Sequence, residues 1–224
     1  MKKLIFICLL LIPFIVTAKN YTVKDMTVPF NDDWTVFTRD NIENNEELTK
    51  AGLTADYMKN LFEENDIYID AVIFNQEKAT DTIEILVGIR ATELERNLHK
   101  YSEKDLKDLE NEMIKEYKVT DHGIYNTGKY KYVYMTYKDN GLNVYDYYTV
   151  INGYGYTIKL QKVNSFTDED LKLLEKKIDT IYYKVVPEYE KSPSKFSISN
   201  IFIYAGIGAV LGAISAFIKK RKTN

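Results

Sequence analysis

Cysteine is nearly absent from these 224 residues: the one present, Cys8, stands inside the first apolar stretch. If that stretch is removed, no thiol remains to form a disulfide, ligate a metal or act as a nucleophile. Histidine is almost as scarce. His99 and His122 are the two in the chain, and neither has a second histidine or a cysteine at metal-ligand spacing. Asp121-His122-Gly123 reads as a turn between a helix and a strand. Outside helix caps and a C-terminal linker there is little serine, and no glycine-rich loop is placed to cradle a phosphate. Adjacent carboxylates at Asp32-Asp33 and Glu63-Glu64 are ordinary for surface loops and helix ends. Glycoside hydrolysis needs two carboxyls set by tertiary geometry, which sequence alone does not exclude. The expectation is a protein that is not an enzyme, with no catalytic, cofactor-binding or metal-ligating residue to assign.

Positive charge is also lacking where nucleic acid would need it. All 33 acidic residues, but only 24 of the 30 basic ones, lie between Lys19 and Ile198, so this part carries a net charge of −9. A domain of that sign is a poor binder of phosphate backbones. The stretch KYKYVYMTYK at 129–138, with four tyrosines interleaved among three lysines, therefore reads as the two sides of a strand. In that geometry Tyr130, Tyr132 and Tyr134 share one face, while Lys129, Lys131, Val133 and Met135 share the other. The tyrosine row is expected inside, its hydroxyls reaching polar partners and the lysine stems covering apolar surface near the strand ends.

What is present in excess is apolar sequence at both ends. Lys2 and Lys3 precede an apolar run from Leu4 to Val16, followed by Thr17 and Ala18. This is the pattern of a secretory signal peptide over 1–18, with Val16 and Ala18 at the small-residue cleavage positions. As a helix the run rises only ~20 Å, short of the ~30 Å hydrocarbon core, which favours cleavage over an uncleaved anchor. At the other end, 201–218 is free of charge and Lys219, Lys220, Arg221 and Lys222 follow at once. A run of that length predicts a transmembrane helix, and the basic cluster predicts that the tail, 219–224, stays in the cytoplasm. Prolines, serines and scattered charges over 186–200 read as a linker or stalk. The remaining 19–185 form one globular domain outside the cell, held by its hydrophobic core alone.

Three helix starts within the domain share one device. Thr54, Ser102 and Thr167 are N-caps, flanked by the apolar pairs Leu53/Met58, Tyr101/Leu106 and Phe166/Leu171, with acids in each first turn. Apolar spacing of three and four continues each helix, as in Leu171, Leu174, Ile178 and Ile181. Strands are expected at Met26 to Val28, Trp34 to Thr38, Asp66 to Phe74 and Thr82 to Ile89. A meander follows over Lys131 to Lys138, Leu142 to Ile151 and Tyr154 to Leu160, turning at Asn140-Gly141 and Asn152-Gly153. The order β-β-α-β-β-α-β-β-β-α implies an α+β fold, a mainly antiparallel sheet with helices packed on it.

Pro29, Trp34, Gly52-Leu53-Thr54 and Asp70-Ala71 carry a resemblance. The stretches TVPFNDDWTVFTRD and AGLTADYMKNLFEENDIYIDAVIF resemble the opening of PsbP/Mog1-like domains, especially bacterial extracytoplasmic members of unknown function. The resemblance implies an α/β/α sandwich and a non-enzymatic binding or assembly role, and it transfers no functional residue. The Lys-, Asn-, Ile- and Tyr-rich composition is associated with AT-rich bacterial genomes. The expected function is a membrane-anchored, extracytoplasmic binding or assembly module on the outer face of a bacterial cytoplasmic membrane. Its partner is expected to be another envelope protein. The alternative is a cell-envelope hydrolase with a carboxylate-based site. Gly208 and Gly212, with Ala205, Ala209 and Ala216, form a small-residue face through which a weak homodimer could pack in the membrane.

Overall fold

The computed structural model describes residues 18–194, apart from 44, 51, 76 and 116. The expected signal segment up to 17, the spanning helix 201–218 with Gly208 and Gly212, and the basic tail lie outside the described residues. Among the described residues, no helix is long and apolar enough to cross a membrane.

Among the described residues, ten strands and four α-helices follow one another. They are β1 (Ala18–Val23), β2 (Met26–Asn31), β3 (Thr35–Thr38), α1 (Glu46–Lys50), α2 (Ala55–Glu64), β4 (Ile67–Ile73), β5 (Ile83–Ala91), α3 (Glu103–Met113) and β6 (Asp121–Asn126). After them come β7 (Lys131–Asp139), β8 (Leu142–Ile151), β9 (Tyr154–Lys162), α4 (Asp168–Thr180) and β10 (Tyr182–Tyr183). Seven strands build one antiparallel sheet in the order β3-β4-β5-β9-β8-β7-β6. The expected α+β class holds, and so do the three caps. Thr54 accepts from the Tyr57 amide, and Ser102 and Thr167 each form a reciprocal capping box with an aspartate, Asp105 and Asp170. The β7–β8 and β8–β9 turns work as their sequences suggest. Asn140, Gly141, Asn152 and Gly153 all have positive φ, which a type I′ turn requires at both central positions.

The sheet is covered differently on its two sides. On one side lie α2, packed through Met58 and Phe62, and α3, packed through Leu106, Leu109 and Met113. On the other lie α4 and a second sheet of three strands, β1-β2-β10. That second sheet corrects the expectation of helices alone on a single sheet. Its hairpin turns at Lys24, with φ 52°, where no Asn-Gly or Asp-Gly pair announces it. Met26, Val28 and Phe30 of β2 point into the core with Leu174 and Ile178 of α4.

Both faces of the central strands are consequently apolar. Tyr132 and Tyr147 face the second sheet and α4, while Val133, Met135, Val144 and Val150 face α3. Tyr130 and Tyr132 are buried and Tyr134 is half-buried, so the tyrosine row lies inside as expected. Lys129 is exposed, and Lys131 reaches Glu103 at 2.9 Å. The hydroxyls behave less uniformly. Tyr130 donates to the Tyr183 carbonyl at 3.3 Å, whereas the buried hydroxyls of Tyr132 and Tyr183 have no hydrogen-bond partner of proper geometry.

Tyr132 therefore contributes mainly through its ring. Tyr132→Ala should cost roughly 3–5 kcal/mol, the range for an aromatic removed from a core. Tyr132→Phe should change stability by no more than ~1 kcal/mol in either direction, because the hydroxyl it removes meets only the Tyr183 hydroxyl, in poor geometry. Lys131→Ala should cost under ~1 kcal/mol, as exposed ion pairs do. Denaturant melts of the three variants check the ordering; a Tyr132→Phe loss as large as that of Tyr132→Ala would contradict it.

Candidate functional site

Charged groups are buried on the helix-covered side of the sheet. Asp146 and Lys159 pair across β8 and β9 at 3.2 Å with 1% and 2% of their side chains exposed. The Tyr137 hydroxyl donates to Asp146 at 3.2 Å and accepts from Lys159 at 2.9 Å. Burial holds the Asp146 carboxyl above its usual range, with Lys159 opposing. Asp70, Glu84 and Gln161 lie buried on the same side. A carboxylate-based hydrolase would need a deep cleft lined by two acids of raised pKa. Asp146, however, lines neither of the two hollows described below.

A second polar cluster holds the end of the domain. Asn97 is fully buried. Its amide nitrogen donates to Glu190 at 2.5 Å and its oxygen accepts from the Asn152 backbone at 2.7 Å. Glu190 also meets His99 at 2.9 Å and Lys100 at 2.8 Å. Burial pushes the Glu190 carboxyl up, but hydrogen bonds from Lys100, Asn97 and His99 outweigh it and bring the group down to about 2. The Val186 amide donates to Asn152 Oδ1 at 2.9 Å. The segment read as the start of a linker thus stays on the domain as far as Glu190. Beside it opens a groove of about 600 Å³, lined by Glu93, Glu95, Arg96, Tyr154, Glu188 and Lys191 among others. Carboxylates and cations are mixed there, without histidine or cysteine.

The third feature is an aromatic shelf at the β6 end of the sheet. Tyr134 and Tyr145 lie nearly parallel, ring centres 5.6 Å apart at 15°, and Tyr145 and Tyr147 continue the stack at 5.4 Å and 24°. Tyr125 stands edge-on to Tyr147 and Phe166 edge-on to Tyr145. Tyr125, Tyr134, Tyr145 and Phe166 are only half-buried, whereas Tyr130 and Tyr132, further along β7, are covered by Tyr183 and its neighbours. Carboxylates rim the shelf. Asp179 accepts from the Tyr125 hydroxyl at 3.1 Å, and Asp121 and Glu175 act on Tyr134 and Tyr145. Burial first, then Asp179, pushes Tyr125 up to about 12; burial likewise pushes Tyr145 up to about 12. The shelf is therefore protonated and neutral, its faces electron-rich, near neutral pH. A hollow of about 270 Å³ continues it, lined by Asp121, Thr136, Asn143, Tyr145, Phe166 and Leu171 among others.

Next to the shelf the sheet ends. β6 pairs with β7 alone, in the register Asp121↔Thr136 to Asn126↔Lys131. The turn expected at Asp121-His122-Gly123 is in fact the start of this strand. Gly123 is needed there because the Tyr134 ring lies across it: a Cβ would meet that ring at 2.9 Å. His122 is anchored on the other side, its Nδ1 2.5 Å from the buried Glu110 of α3. The His122 amide is held by the Asp121 carboxylate at 2.9 Å and so faces away from β7. Strand periodicity puts the Ile124 and Asn126 amides on the same outer side. Among the described residues, no strand pairs there.

The residues weighed from the sequence scatter. Asp33 is an exposed turn residue near Lys177, and Glu63 and Glu64 are exposed at the end of α2. His99 joins the Glu190 cluster and His122 the Glu110 pair. Among the described residues, no group of three or more His, Cys, Asp or Glu side chains gathers as a metal site would require. The Asp146–Lys159 pair, the Glu190 cluster and the shelf were all missed. The shelf had a signal, the tyrosine run itself, but its exposed part depends on where α4 stops.

No family model matches the chain, and no curated protein matches it. Solved structures similar to it include the solution structure of cyanobacterial PsbP (CyanoP) from Synechocystis sp. PCC 6803. That match has 9% identity and a TM-score of 0.46, covering 76% of this chain and 95% of that one. A crystal structure from Bacteroides thetaiotaomicron VPI-5482 matches at 11% identity and a TM-score of 0.39, covering 74% of this chain and 48% of that one. The first bears the family name that the Pro29, Trp34 and Gly52-Leu53-Thr54 motifs suggested.

Two tests follow from the buried and clustered charges. Lys159→Met should destabilise by about 3–5 kcal/mol by leaving Asp146 buried without its cation, and adding Asp146→Leu should restore most of the loss. A double variant as unstable as the single one would show that the pair is needed for more than mutual neutralisation. Glu190 has a folded pKa below its ordinary carboxyl value, so its stabilisation is complete above ~4.5 and lost as pH falls towards 2. Amide exchange at Tyr189 should accelerate over that window, and Glu190→Gln should abolish the pH dependence. An unchanged pH profile in the variant would show that another group holds the segment.

Proposed function

We propose that the chain is a non-catalytic binding or assembly module that takes its partner at the β6 edge and the tyrosine shelf beside it. The open edge carries this reading: outward-facing backbone groups lie next to half-buried, neutral tyrosines, the arrangement by which a sheet accepts another strand. The apolar ends support a membrane-anchored, extracytoplasmic location. The run at 1–18 has the form of a signal peptide, and 201–218 followed by Lys219, Lys220, Arg221 and Lys222 has that of a spanning helix with its tail inside. In the groove of Glu93, Glu95 and Glu188, Arg96 and Lys191 line the same wall, a mixed-charge setting that favours ion pairing over the raised-pKa acid a hydrolase uses.

The location predicts that external protease on intact cells digests the domain while the tail epitope survives; protection of the domain until lysis would overturn it. For the site, a photo-crosslinking residue at Asn126 should capture a partner in native membranes. The same residue at Tyr57, exposed on α2 across the sheet, should not. Equal capture from both positions would remove the edge as the binding site.

A further inference from the structure

We propose that the β6 edge accepts an extended, basic segment of a second protein. The segment adds as an eighth strand, with its arginine or lysine side chains lying against the Tyr134 and Tyr125 rings and pairing with Asp121 and Asp179. This deepens the binding-module reading above and rests on it.

The backbone geometry comes first. β6 has neither proline nor lysine in its six residues, DHGIYN, so it lacks two common devices that keep other strands off a sheet edge. Its outer amides are those of His122, Ile124 and Asn126; the His122 amide donates to the Asp121 carboxylate of its own strand, and among the described residues no neighbouring strand pairs with the three. A carbonyl of an added strand replaces that carboxylate at the His122 amide. Asp121 is then released at the point where the new strand's side chains arrive.

The side chains on the shelf face select for cations. Along β6 this face presents Asp121, Gly123 and Tyr125, and the Tyr134 ring fills the space over Gly123. A residue opposite Gly123 on a strand ~4.8 Å away has the Tyr134 ring within reach of a long side chain. A cation there gains the face of a neutral tyrosine and nearby carboxylates at once. Asp121 and Asp179 are exposed and Glu175 is half-buried at the rim of the same shelf. Lys172 and Lys176, one position further round α4, are exposed. Charge also decides between a second copy and a different protein. A copy would bring another −9 domain and a second Asp121 towards this edge, whereas a basic segment neutralises it.

The test uses the full-length protein in detergent and a fluorescein-labelled peptide in which arginine and valine alternate. Controls are a glutamate-valine peptide and an arginine-valine peptide methylated on alternate backbone nitrogens. Binding is read by anisotropy for the unaltered chain, for Ile124→Pro, which removes an outward amide, and for the Asp121→Lys/Asp179→Lys double variant. The double variant changes exposed side chains and keeps the test open if Ile124→Pro fails to fold, which circular dichroism decides. The arginine-valine peptide should bind the unaltered chain and weaken roughly tenfold or more in either variant, with the methylated peptide weakened likewise. Binding of the glutamate-valine peptide, abolished by Ile124→Pro, would overturn the basic partner and leave an edge-binding module standing. Arginine-valine binding that neither Ile124→Pro nor methylation disturbs would overturn strand addition. Absence of binding by every peptide would overturn the proposal, and the Asn126 crosslink then decides separately whether the edge binds at all.

Discussion

A sheet that is apolar on both faces must be covered on both sides, and most of this structure follows from that. Tyr132, Tyr147, Tyr156 and Ile158 face one way and Val133, Met135, Val144 and Val150 the other. Every one of them is withdrawn from water only because α2 and α3 lie on one side and α4 with the small sheet on the other. The two-sided burial makes up for the absence of disulfides, since the core alone has to offset the chain entropy of the domain. It also explains the unusual tyrosine content. A tyrosine reaches across the layer and brings ring area to it, and its oxygen finds a polar partner where geometry allows, as Tyr130 does at the Tyr183 carbonyl.

The cover is incomplete in one direction. Tyr183 of the small sheet covers Tyr130 and Tyr132 of β7, and Asp179 of α4 meets Tyr125 of β6, but Tyr134 and Tyr145 stay half-buried. The shelf tyrosines are what the core looks like where its lid ends. Buried charge has a related origin on the opposite side, where two separate apolar clusters around α2 and α3 leave a seam. Asp146, Lys159 and Tyr137 fill it with mutual hydrogen bonds. Such a pair adds little net stability over an apolar replacement, yet breaking it is costly.

Local rules made the helices and hairpins legible. Thr54, Ser102 and Thr167 start helices because their hydroxyls accept from amides that have no other partner, and that depends on a few neighbouring residues. Asn140-Gly141 and Asn152-Gly153 tolerate positive φ wherever they occur. β6 was illegible for the opposite reason. Asp121-His122-Gly123 has turn composition, and it is a strand because β7 pairs with it and because the Tyr134 ring needs a residue without a Cβ beneath it. β1 leads into a hairpin turn at Lys24-Asp25 without an Asn-Gly or Asp-Gly pair, and β10 is two residues held by β2. The Glu190 cluster joins residues about ninety positions apart in sequence, so no window of sequence displays it. The same holds for the candidate site: the tyrosine run was visible, but the exposed end of it is set by the length and position of α4.

The open edge is the claim on which the functional reading turns, and native-state amide exchange addresses it directly. The Ile124 and Asn126 amides, facing away from β7, should exchange with little protection. Amides of β8 and β9 in the sheet interior should be protected up to the global stability. Addition of a binding partner should then slow Ile124 and Asn126 selectively. Protection of these two amides in the isolated chain at the level of β8 and β9 would contradict the reading, because it would mean that the edge is already paired.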